Sequence, residues 1–190
     1  MVDATPAMAP NTVSTDVLAR ARQALEAVPD PEIPVVSIRE LGILRDVRLA
    51  RASADEAAGA GAVIEVVITP TYSGCPAMAQ IAEDIGAALT QAGVGPYRVT
   101  TVLAPAWTTD WITDEARDKL QRYGIAPPTA GNARSDSQPL RFHPRPQHGV
   151  TCPHCNSSNT ELLSAFGSTA CKALYRCLDC REPFDYFKPY

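Results

Sequence analysis

The chain has 190 residues, of which 45% are hydrophobic and 20% charged, with a net charge of -4. No stretch approaches the roughly 18 apolar residues of a membrane helix. The opening residues carry Asp3 and no Lys or Arg ahead of an apolar core, unlike a secretory signal. These features exclude a membrane partner and predict a cytoplasmic protein, where paired cysteines mean metal more often than disulfide. Residues 1–124 hold 10 basic and 16 acidic groups, which argues against nucleic acid as a partner.

In chain order, Met1 to Val13 is rich in Ala, Pro and Thr and is expected to fray. Ser14 or Thr15 is placed to cap a helix. Its apolar residues Val17, Leu18, Ala21, Leu25 and Val28 recur every three or four positions, and Pro29 ends it. In Asp30-Pro31-Glu32-Ile33-Pro34, two prolines forbid a regular helix and favour an extended turn. Residue chemistry alone makes Asp30 a cap of that turn and Glu32 a solvated carboxylate. Ser37 to Gly42 reads as a short turn of helix closed by its glycine.

Ile43 to Arg51 alternates as a strand, Ala52 to Gly61 is a flexible connection, and Val63 to Thr69 is apolar enough to be the central strand. A helix over Ala77 to Ala92 is stopped by Gly93 and Gly95, and Tyr97 to Leu103 is a third strand. Asp110, Asp114 and Glu115 open a last helix to Tyr123, with Lys119 and Arg122 near its end, the charge order that suits the helix dipole. Trp107 and Trp111 at its start are packing residues. The order helix, strand, strand, helix, strand, helix over residues 14–124 predicts an α+β fold, a mixed α/β sandwich. Its first two strands form an antiparallel hairpin, and its second and third a parallel unit.

The turn Thr69-Pro70-Thr71-Tyr72-Ser73-Gly74-Cys75-Pro76 joins the central strand to the long helix. Pro76 suits a first helical turn, which puts Cys75 at the helix N-terminus, where free N–H groups and the dipole favour a thiolate. The competing reading is a small thiol packed under the turn.

Residues 125–150 hold five prolines among Gly, Ser, Asn and Asp without an apolar period, and read as a linker. His143 and His148 in it lack partners at ligand spacing. Residues 151–190 carry Cys152-Pro153-His154-Cys155 and Cys177-Leu178-Asp179-Cys180, two knuckles with 21 residues between them. That is close to the roughly 15–20 of paired-knuckle zinc sites. Four thiolates, Cys152, Cys155, Cys177 and Cys180, then close a structural Zn²⁺ site in a segment too small to fold on a core alone. Glu161 to Phe166 and Ala173 to Arg176 supply the short strands of a zinc ribbon. Four cysteines also suit an iron–sulfur cluster, so iron stays open as the alternative. His154 is crowded out as a ligand, and Cys171 either packs inside the ribbon or substitutes for one. The linker predicts that the tail and the first domain fold independently.

With both halves read, Asp30-Pro31-Glu32-Ile33-Pro34, Leu41-Gly42-Ile43 and the Thr69 to Pro76 turn resemble the MIP18/SufT-like iron–sulfur assembly domain. The tail, from Phe166-Gly167-Ser168-Thr169-Ala170-Cys171 to Glu182-Pro183-Phe184, resembles that of the PaaD family, accessory proteins of the ring-1,2-phenylacetyl-CoA epoxidase system. The resemblance implies a non-enzymatic role in aerobic phenylacetate breakdown, maturing iron or an iron–sulfur cluster for epoxidase subunits (reductase or oxygenase). Iron or a cluster would pass transiently through Cys75, Asp30 and Glu32, with Thr71 supporting the turn. A non-catalytic structural subunit of the complex is the alternative. A thiol enzyme built on Cys75 would need a histidine of the linker or tail to fold back. One cysteine per chain holds a cluster weakly, which leaves a homodimer or the client to complete the ligand set.

Overall fold

The computed structural model describes residues 11–52, 62–128 and 150–189, with side chains from residue 15 onward. The expected connection at 53–61 and most of the linker, with His143 and His148, lie outside the described residues. Helix α1 (Asn11–Leu25) starts before Ser14, so neither Ser14 nor Thr15 caps it and Asn11–Val13 are helical. It also stops earlier than Pro29, and Val28 is buried beyond its end. Strands β1 (Leu44–Arg51) and β2 (Ala62–Ile68) are antiparallel, and β2 runs parallel to β3 (Tyr97–Thr101) after the crossover helix α2 (Met78–Gln91). The sheet order β1-β2-β3 puts the apolar strand in the centre, as its composition predicts. A bulge between Leu44 and Asp46 breaks the alternation at the start of β1, and beyond it Val47 is buried while Leu49, on the same face toward the strand's end, is 39% exposed.

The turn after α1 is built by side chains. Ser37 Oγ accepts from the Glu40 N–H (3.2 Å) while Glu40 Oε2 accepts from the Ser37 N–H (2.8 Å), a reciprocal cap that opens the short turn ending at Gly42. Gly42 has φ +71°, and a Cβ there would stand 2.6 Å from Trp111 Cβ, so only glycine fits. The last predicted helix divides into a 3₁₀ turn (Thr109–Trp111) and α3 (Asp114–Tyr123), whose cap Thr113 accepts from the Ala116 N–H. Trp107 is buried and donates to the Leu41 carbonyl (2.9 Å), while Arg45 lies 3.4 Å over the Trp111 ring.

The tail forms a second sheet in the order β4-β7-β6-β5: β4 (Ile125–Ala126), β5 (Thr160–Ser164), β6 (Lys172–Cys177) and β7 (Pro183–Phe187). The two ribbon strands read from sequence are β5 and β6. The strand β7 and its parallel partner β4 are additional, and β4 occupies residues expected to be linker.

The expectation of two independent units is corrected by the packing. Phe187 (1% exposed) and Cys171 (5%) belong to the same apolar cluster as Leu25, Ile38, Ile81 and Trp107. The Trp107 and Phe187 rings lie 5.9 Å apart. Gly124, the left-handed cap of α3 (φ +91°), lies against the His154 ring; a Cβ would be 3.2 Å from its Cε1. A smaller cluster, including Ala126, Cys152, Tyr175, Cys177 and Phe184, fills the ribbon itself.

Candidate functional site

The knuckles converge as their spacing predicts. The Sγ atoms of Cys152, Cys155, Cys177 and Cys180 all lie within 4.8 Å of one another. Cys152 and Cys180 are 3.7 Å apart and Cys155 and Cys177 3.6 Å. Four sulfurs about 2.3 Å from one zinc ion stand roughly 3.8 Å apart, the spacing of these two pairs. Each knuckle aims backbone N–H groups at its first sulfur: His154 and Cys155 toward Cys152, Asp179 and Cys180 toward Cys177. Those from Cys180 and Asp179 pull the Cys177 thiol down to about 7. The residue after each knuckle, Asn156 (φ 61°) or Arg181 (φ 70°), takes the left-handed conformation that closes the turn. Asp179 ties the knuckles together, accepting from Ser157 Oγ and from Asn159 Nδ2 (2.7 Å). Zinc held by four thiolates has no open position, so its contribution there is closure of the fold.

The second site surrounds Cys75. Asp30 is buried, and its Oδ1 accepts from the Glu32 and Ile33 N–H groups, both at 2.9 Å. That is the capping geometry residue chemistry anticipates, and it spends one carboxylate oxygen on the turn. Glu32 is only half-buried. Thr71 is buried in the Cys75 turn, which closes with a bond from the Cys75 N–H to the Tyr72 carbonyl (3.1 Å). Helix α2 begins at Met78 with Ala77 as its cap, so Pro76 precedes the helix and Cys75 lies outside its first turn.

The expected low thiol pKa is reversed. Burial pushes the Cys75 thiol up, and the charges of Glu32, Cys171 and Asp30 push the same way; the N–H of Ala77 opposes them. Burial likewise raises both carboxyls, with Lys172 acting in the other direction on each.

Sequence reasoning missed the ribbon's part in this site. The hairpin between β5 and β6 brings Thr169, Cys171 and Lys172 against the Asp30–Glu32 turn. Thr169 Oγ1 is 3.0 Å from Cys171 Sγ, and its hydroxyl opposes the rise that burial imposes on the Glu32 carboxyl. Lys172 is 5% exposed and pairs with Asp185 (3.3 Å). The available signal was Cys171 itself, a thiol outside both knuckles. Among the described residues, the four ribbon cysteines are the one set of three or more ligands within bonding spacing; Cys75, Asp30 and Glu32 are neighbours without forming such a set. No described helix is long and apolar enough to cross a membrane.

Comparison with known proteins agrees with both halves. Residues 18–104 match the family model of iron–sulfur cluster assembly proteins, and residues 136–188 that of the PaaD zinc beta ribbon domain. The chain is 49% identical over 164 residues to an Escherichia coli (strain K12) protein named as a subunit of a "Putative 1,2-phenylacetyl-CoA epoxidase", covering 86% of this chain and 88% of that one. It is 31% identical over 97 residues to an "Fe-S protein maturation auxiliary factor" of Porphyromonas gingivalis, covering 50% of this chain and 83% of that one. A solved domain of unknown function (DUF59) from Bacillus anthracis covers 57% of this chain and 94% of its own, at 26% identity and TM-score 0.46. At the identity and coverage of the E. coli match, the chain belongs to the PaaD family of phenylacetyl-CoA epoxidase subunits, in which an iron–sulfur assembly domain is joined to a zinc ribbon.

Proposed function

We propose that this chain is a cytoplasmic maturation factor of the phenylacetyl-CoA epoxidase system. It hands iron or an iron–sulfur cluster to a reductase or oxygenase subunit and turns over no substrate of its own. The observation that carries the reading is Cys75: a half-buried thiol outside the zinc set, beside Asp30 and Glu32, on a domain matched to iron–sulfur assembly proteins. The maturation role in the name of the P. gingivalis relative supports it. Zinc is the resident metal of the ribbon, and iron is the cargo. Thiolate and carboxylate together suit iron held briefly and released by ligand exchange.

The test is Cys75→Ala in cells growing on phenylacetate. Epoxidase activity and the iron content of the purified client subunit should fall together while this chain stays folded. Full iron loading of the client would refute the reading. The word "subunit" in the E. coli relative's name favours the second reading, a structural component. Stoichiometric co-purification with an active epoxidase that keeps its iron without Cys75 would establish it.

A further inference from the structure

The four sulfurs of the ribbon are not equally sheltered. Cys152 and Cys177 are 0% exposed, Cys180 is half-buried, and Cys155 is exposed. Cys155 sits at a knuckle tip whose neighbours His154 and Asn156 are exposed as well. Bound to zinc, all four are thiolates, the form that peroxides attack, so access decides which one reacts. A four-thiolate site covered on every side gives an oxidant no entry; this one is open at Cys155.

A second sulfur is within reach. Cys177 Sγ lies 3.6 Å from Cys155 Sγ, and a disulfide needs about 2.05 Å. The exposed tip makes that movement, because Cys177 is the fixed end. It closes strand β6, pairs with Thr160 of β5, and its N–H donates to the Glu182 carbonyl (3.0 Å). The same strand runs back to Lys172, next to the Cys171 that lies in the core shared with the first domain. Strand β7 pairs along it and carries Phe187 into that core. A change at the knuckles therefore reaches the assembly domain through the sheet.

We propose that Cys155 is an oxidation site, through which hydrogen peroxide controls the docking of the ribbon on the assembly domain. The Cys155 thiolate attacks one peroxide oxygen: an S–O bond forms, the O–O bond breaks, and hydroxide leaves. The Cys177 thiolate then attacks that sulfur: the S–S bond forms, the S–O bond breaks, and a second hydroxide leaves. Two protons from solvent turn both into water. The two sulfurs give up two electrons in total, and the peroxide takes them. Only Cys152 and Cys180 remain as thiolates, too few to retain the ion. A dithiol reductant together with zinc reverses the change. Cys75 is outside the set and takes no part, so the site stands whatever cargo that thiol carries.

The experiment treats the full, zinc-loaded chain with hydrogen peroxide and follows zinc release to a colorimetric chelator. Disulfide-linked peptides, and peptides labelled by dimedone, which traps sulfenic acid, are mapped on the same samples. Among the ribbon cysteines, Cys155 should be labelled first, and the first disulfide should be Cys155–Cys177, with one zinc released per disulfide. Cys155→His keeps four ligands of a kind that zinc accepts and removes the reacting sulfur, so it should slow release at least about tenfold. Release from Cys155→His at the wild-type rate overturns the site, as does a first disulfide between Cys152 and Cys180. Where Cys155→His binds no zinc, the peptide map of the unsubstituted chain decides alone.

A second measurement reads the docking. The tryptophan melting transition of the oxidised chain should fall to that of the zinc-free chain, and return only when reductant and zinc are added together. A transition unmoved by oxidation and zinc loss overturns the control of docking and leaves the oxidation site standing.

Discussion

Phe187→Ala removes a side chain from the tail at the place where the tail becomes part of the first domain. Phe187 is 1% exposed, its ring is 5.9 Å from Trp107, and its strand pairs with both β4 and β6. Truncating a buried phenylalanine costs about 3–5 kcal/mol, a large part of the roughly 5–15 kcal/mol that holds a domain folded. At roughly 2–4 °C per kcal/mol for a chain of this size, the melting temperature should fall by about 6–20 °C. The assay follows two signals on one sample: fluorescence of the chain's two tryptophans, Trp107 and Trp111, and zinc release to a colorimetric chelator. Both tryptophans lie outside the ribbon, so a coincident shift of both signals means one cooperative unit. A tryptophan transition at the wild-type temperature, with zinc released earlier, would refute the shared core and restore two independent units.

Native mass spectrometry should find one zinc per chain, and Cys177→Ser should lose it and lower the tryptophan transition as well. Glu65 is held below the usual carboxylate range, chiefly by Arg48, with Thr100 and Arg98 adding to it. Its contribution to stability is complete above the unfolded carboxylate value near ~4.3 and lost as pH falls through the lower folded value. The melting-temperature gap between wild type and Glu65→Gln should therefore close on acidification. Alkylation of Cys75 in zinc-loaded protein should be slow at neutral pH and accelerate above the ordinary thiol value of ~8.5. Glu32→Gln removes one of the charges that raise it and should speed the neutral-pH reaction, as peptide mapping would show. Thr69 Oγ1 is buried and without a hydrogen-bond partner. Thr69→Val should raise the urea midpoint, by roughly 1 kcal/mol in stability.

The elements with strong local signals are legible in the sequence. The apolar run at Val63–Ile68, the alanine-rich helix after it and the knuckles each follow from a period or spacing that nothing distant overrides. The caps are less so. Ser14 and Thr15 have cap chemistry but lie inside α1, because helix α1 extends back to Asn11. Sequence reasoning sets Cys75 too close to α2, because Pro76 is as acceptable before a helix cap as just after it. The reversed direction of its pKa has a different origin. A dipole argument uses only neighbours in sequence, whereas the rise comes first from burial, and then from Glu32, 43 residues before, and Cys171, 96 residues after. Strand β4 is invisible because two residues carry no period, and the docking of the ribbon because a proline-rich stretch looks the same whether its ends meet or not.

Strand β6 has a sulfur at each end: Cys177 in the four-thiolate cluster, and Cys171 immediately before its first residue, in the apolar core shared with the first domain. Six steps of extended chain set them roughly 20 Å apart. A paired strand is a stiff strut, so whatever anchors one end positions the other. Zinc at Cys177 therefore sets, through this strand, the place where the tail enters the core of the first domain. A zinc-starved cell would lose that join, and with it the first domain would lose part of its core. Any chelator used to strip iron from this protein must spare zinc before its effect can be ascribed to the cargo.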